Sequence, residues 1–201
     1  MPVIKMWEWL EKNFTSRFDA YKIVFSPLIG GSHSTQNFTF FTNDGSIYHE
    51  CVMFVNGPER YNNVEKEINI GLASGTVFTE IDHNYVNPVT SKYRKEIDNI
   101  FKNDHIWMVR NSSNLGYDKG EYVFNEYMTH AVFCLYMNEY YEGETARYVI
   151  DKRIELMEKR RGFIKFREFF NKLSELYIKR DNNDKVSDLY PQIIEWASTV
   201  N

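Results

Sequence analysis

Cysteine is scarce in this chain, and long apolar runs are missing altogether. The two cysteines, Cys51 and Cys134, stand in apolar contexts (Glu-Cys-Val-Met-Phe and Val-Phe-Cys-Leu-Tyr) and read as buried thiols that pack as small hydrophobes. A disulfide framework in a secreted domain needs more cysteines, so cysteine usage leaves the compartment open. No stretch approaches the roughly 18 consecutive apolar residues of a transmembrane helix, and no membrane partner is expected. The start, Met-Pro-Val-Ile-Lys-Met-Trp-Glu-Trp-Leu, has charges where a signal peptide needs an apolar run. The expectation is a cytoplasmic chain, or an exported one already relieved of its leader. A net charge of −4 argues against general affinity for nucleic acid. Also missing are a Gly-x-Ser-x-Gly elbow and any glycine spacing that cradles phosphate. Internal repeats and low-complexity tracts are absent too.

What is present is aromatic. Phe, Trp and Tyr make up 16% of 201 residues, so the core should be rich in rings. Residues 5–16 carry Trp7, Leu10 and Phe14 at helical spacing. Tyr21–Ser26 reads as a strand, ended by Pro27 and the Gly30-Gly31 turn. Asn37–Thr42 and Ser46–Val55 pair as a hairpin around Asn43-Asp44-Gly45, and Asn56-Gly57-Pro58 closes the β portion. Beyond it the periodicity turns helical. Glu65–Val86 is expected as a helix or a helix pair, weakened in its middle by Gly71 and Gly75 and stopped by Asn87-Pro88, followed by a helix over Thr90–Phe101. Residues 102–120 read as a loop around the apolar island Ile106–Val109, and a loop of that length is commonly functional or mobile. Glu121–Tyr141 is apolar nearly all round and so central. Glu144–Arg161, Phe163–Lys179 and Ser187–Ser198 follow as amphipathic helices. The order predicts an α+β domain, with a small antiparallel sheet beside a helical body.

Two constellations carry chemistry. In Thr79-Glu80-Ile81-Asp82-His83, Glu80 and His83 lie three apart and share one helix face. A zinc-peptidase helix has the form His-Glu-x-x-His; here Thr79 stands at the first position, and a hydroxyl is a poor zinc ligand. Further on, Glu126 and His130 lie i and i+4 on the apolar helix, projecting from one face. A buried carboxylate needs a partner. Two readings therefore stand. In one, His83, Glu126 and His130 are three zinc ligands with Glu80 as the base beside metal-bound water. In the other, Glu126 and His130 form a buried hydrogen bond and no metal is held. The remaining candidates are weaker: His49 and Glu50 read as hairpin surface, His33 and His105 as loop residues. The basic run Lys159–Arg167 reads as a solvated helix face.

Ser26-Pro27-Leu28 with Gly30-Gly31, then Thr79–Pro88, then Asn125-Glu126 on an apolar helix together resemble a bacterial family of zincin-like domains of unknown function. The middle motif of that family is similar to His-Glu-x-x-His-x-Tyr/Phe-Val-Asn-Pro. Glu80, His83 and Tyr85-Val86-Asn87-Pro88 match it here, across a resemblance covering about residues 20–140. The resemblance implies a catalytic zinc, Glu80 as general base, a downstream glutamate ligand matched by Glu126, and hydrolysis of a peptide or protein substrate. It departs at Thr79, and His130 is the residue that would restore the missing nitrogen. The expected layout is a zincin-like α+β domain over 1–141 with 142–201 as its C-terminal helical portion. The expected function is a zinc-dependent metallopeptidase-like hydrolase with an altered ligand set; the alternative is an inactive zincin-like fold acting as a binding or structural module.

Overall fold

The computed structural model describes residues 1–30, 33–57 and 61–200. Gly31 and Pro58, named above at two turns, lie outside the described residues. The chain forms two compact units, Met1–Tyr85 and Val86–Asn201.

In the first unit α1 (Val3–Asn13) places Met6 and Leu10 on its inner face, and Phe14 continues the row; all three are fully buried. Strands β1 (Ala20–Phe25), β2 (Ser34–Phe41) and β3 (Ile47–Val55) form one sheet in the order β1-β3-β2. The β2–β3 hairpin is as expected, and its turn is built by chemistry legible in the sequence. The Asp44 carboxylate accepts from the Ser46 amide at 3.0 Å and from the Thr42 hydroxyl, while Gly45 takes φ 84°, a left-handed conformation that glycine adopts without steric cost. The expected all-antiparallel sheet is corrected: β1 runs parallel to β3, from Ala20 beside Glu50 to Phe25 beside Val55. A parallel pair needs a long connection between its strands, and the segment from Ser26 to Ser46, β2 included, supplies it. Cys51, Met53 and Val55 alternate inward.

Helix α2 (Lys66–Thr90) is long and contains Pro88. The expected stop at Asn87-Pro88 is also corrected, since the helix runs on for two further residues and passes through a 3-10 turn, Ser91–Tyr93, into α3 (Arg94–Phe101). Proline removes one N–H and crowds the carbonyl four residues back. That is tolerable here because Val86, Val89 and Thr90 are anchored by burial. The unit boundary falls inside α2, just before this proline. Within the first unit, Phe14 and Phe18 pack on Tyr85 at 5.9 and 5.4 Å between ring centroids. Asn84 links α2 to β2 through the Thr35 hydroxyl.

In the second unit α5 (Gly120–Tyr140) is buried on almost every side from Gly120 to Met137, as its all-round apolar sequence requires. Around it lie α3, the short α4 (Asp104–Trp107), α6 (Gly143–Glu155), α7 (Phe166–Lys179) and α8 (Tyr190–Ser198). This is the helical body and helical C-terminal portion of an α+β protein. Gly120 permits close contact with α3, because a Cβ there would meet the Asp98 Cα at 2.8 Å. The interior is a ring cluster in which Trp107 stacks on Phe101 at 4.3 Å and Tyr127 meets Phe169 at 5.1 Å.

The segment 102–119 is pinned in place. Trp107 and Asn114 are buried. The Asn114 amide donates to the Val109 and Arg161 carbonyls, both at 2.8 Å, and the Val109 amide donates to the Gly162 carbonyl at 2.8 Å. Among the described residues no helix is long and apolar enough to cross a membrane.

Candidate functional site

Glu80 and His83 stand one turn apart on α2 in the first unit, both half-buried. The Thr79 hydroxyl turns back on its own helix, donating to the Gly75 and Thr76 carbonyls at 3.0 and 3.1 Å. This is the usual resting place of a mid-helix threonine, and it leaves that hydroxyl committed to the backbone.

Glu126 and His130 belong to the second unit, on α5. They are brought together as the i,i+4 spacing requires, with Glu126 Oε2 3.4 Å from His130 Nε2. Their other neighbours come from the end of α6. That helix continues as a single π-helical turn, Leu156–Arg160. Lys159 and Arg160 stay exposed while Arg161 turns into the body. The basic run is thus a solvated face only in part. Arg161 Nη2 pairs with Glu126 Oε2 at 2.7 Å and donates to the Tyr117 hydroxyl at 2.6 Å, while Arg161 Nη1 closes on His130 Nε2. On the other side of the ring, Arg153 Nη1 lies 3.1 Å from His130 Nδ1, with its guanidinium over the Phe133 ring at 4.6 Å.

Burial, then the two guanidinium charges, outweigh the Glu126 carboxylate and push the His130 pKa down to about 3. The imidazole is therefore neutral. A neutral imidazole has one acceptor nitrogen, so only one guanidinium contact is a hydrogen bond at a time. The other is a cation resting beside an N–H.

The arrangement does not suit a dication. A catalytic zinc needs an imidazole lone pair and carboxylate oxygens directed at a shared point. At Glu126 and His130 that space is already taken by two positive side chains. Among the described residues no group of three or more His, Cys, Asp and Glu side chains is gathered to hold a metal ion.

The partners that reading the sequence missed are Arg161, Arg153 and Tyr117. The available signal was the demand itself, since a carboxylate and an imidazole on an apolar helix require a cation or donor. Of the weaker candidates, His49 is exposed and 3.2 Å from the Thr39 hydroxyl, and His105 is exposed on α4. Glu50, expected at the surface, is only 8% exposed and pairs with Lys22 at 2.8 Å. Comparison of the chain with protein-family models, with curated proteins and with solved structures gives no match.

Proposed function

We propose that the chain is a non-catalytic binding or structural module on a zincin-like α+β plan, in which Glu126 and His130 hold the helical body together instead of holding zinc. The observation that carries this reading is the pair of guanidinium groups against the two ring nitrogens of His130, with Arg161 also ion-paired to Glu126. Two positive charges there oppose a third. The Thr79 hydroxyl bonded into its own helix supports the same reading, because nothing at position 79 replaces an imidazole. A module that works by binding needs surface to offer, and the exposed aromatic hairpin of the first unit supplies it.

The deciding experiment is metal analysis of protein purified without chelator, beside His130→Ala and Glu80→Gln. The expected result is zinc far below one per chain in all three, and no peptidase activity. About one zinc per chain, lost in His130→Ala, with turnover abolished in Glu80→Gln while its metal is kept, would overturn the proposal in favour of a peptidase acting through Glu80.

A further inference from the structure

From Gln36 to His49 every residue of the β2–β3 hairpin is exposed. β1 flanks β3 from Glu50 onward and Asp19 just before it holds the His49 backbone, so beyond His49 the hairpin is a two-stranded arm standing clear of the sheet. Such a ribbon has little stability in water by itself. This one carries large apolar side chains on both faces. By the register, Phe38, Phe40 and Tyr48 share one face, and Phe41 and Ile47 the other. Phe38 is 44% exposed, Phe40 47% and Phe41 79%.

β2 is also one of the two edges of the sheet, and its backbone has no partner beyond β3 among the described residues. Edge strands are ordinarily protected by lysine, proline, a bulge or short length. Ser34-Thr35-Gln36-Asn37-Phe38-Thr39-Phe40-Phe41 is eight residues long without a charge or a proline. An uncharged strand can lie antiparallel against its own copy with no like charges opposed.

We infer that β2 pairs with β2 of a second copy of this chain, about a two-fold axis at Phe38. This register keeps the faces of the two sheets continuous, because only residues of like parity can stand opposite each other. Phe38 then faces Phe38 of the second copy, Phe40 faces Gln36, and Phe41 faces Thr35. The last pairing gives the arm its cover. At Thr35 the inner face of the sheet is roofed by α2 through Asn84, so the bare tip of each arm is laid beside the covered root of the other. The only charge on the arm, Asp44 in the turn, falls at opposite ends of the pair.

The exposed parts of six phenylalanines together with fourteen paired residues bring the buried area to about 1,200 Å², the lower end for specific interfaces. The dimer should therefore form at micromolar concentration. The pairing is independent of whether α5 holds a metal.

Sedimentation velocity across a concentration series tests it. Wild type should move from 24.0 kDa towards twice that mass. Phe38→Lys and Phe38→Glu should each bind their own copy at least about tenfold more weakly, since like charges would meet at the axis, and an equimolar mixture of the two should recover the dimer. Phe38→Cys gives a second reading that needs no charge: residues opposite across an antiparallel pair lie within disulfide reach, so mild oxidation should cross-link the chain. Cys51 and Cys134 are buried and do not compete. A wild type that stays at 24.0 kDa throughout, charge variants that still dimerise, a mixture that stays monomeric, or a Phe38→Cys chain that does not cross-link would each overturn the inference.

Discussion

Replacing Arg161 by methionine tests what holds the second unit together. The side chain is 21% exposed and the Glu126 side chain with which it pairs only 8%, so the ion pair is largely withdrawn from water. Methionine keeps most of the volume but removes the cation that balances the Glu126 carboxylate, and the neutral His130 ring 3.4 Å away supplies no charge in its place. Breaking a buried pair by removing one partner costs about 3–5 kcal/mol, whereas replacing both partners by apolar groups is often close to neutral. Arg161→Met should therefore be markedly unstable, and Glu126→Leu/Arg161→Met more stable than Arg161→Met despite carrying one more substitution. With a urea dependence of about 2 kcal/mol per molar, the single variant should lose about 2 M from its unfolding midpoint. Trp107 and Trp196 lie in the second unit, 6.3 Å apart, and their fluorescence reports the transition. A single variant costing under about 1 kcal/mol, or a double variant worse than the sum of its singles, would refute the idea that this pair anchors α6 to α5.

Acid should act through the same network. His130 is neutral in the fold, with its pKa near 3 against an ordinary 6.5, so below pH 6.5 the unfolded chain binds a proton that the folded chain does not. Stability is complete above pH 6.5 and falls as the pH drops from there towards 3, by up to about 1.4 kcal/mol per pH unit. Urea midpoints at pH 7.5, 6 and 5 should show this slope, and His130→Gln should flatten it. Gly162→Ala should cost about 2–4 kcal/mol, because φ is 80° and the new Cβ would meet the Val109 carbonyl oxygen at 2.3 Å. Gly143→Ala, with φ 60° and nothing within 4 Å, should cost about 1–2 kcal/mol, and thermal melts compare the two.

The parts of the fold that could be read in advance are those decided locally. Asp44-Gly45 announced its turn, and the all-round apolar sequence of α5 announced its burial. The parallel course of β1 could not be read, since a short strand has the same alternation in either direction and its orientation is fixed by the connection. Nor could the continuation of α2 past Pro88, where burial of the following turn outweighs a local breaker. At the candidate site, the need of Glu126 and His130 for a partner was plain from their place on α5. Its identity was not, because Arg161 stands in a basic run flanked by glutamates, which as a whole reads as a solvated face. Regular spacing in fact sets Arg161 seven residues after Ile154 and four after Met157, both buried, on the inner face and apart from Lys159 and Arg160.

Each unit carries one sheltered thiol. Burial raises Cys51 to about 11 and Cys134 to about 12, and thiolate is the form that reacts. In the intact protein both sulfurs are therefore nearly inert to alkylation at neutral pH. Each becomes reactive only when its own surroundings open, Cys51 with the sheet and Cys134 with the helical body. The chain thus has two internal chemical clocks, one per unit, and the rates at which they are labelled tell which half of the molecule opens first.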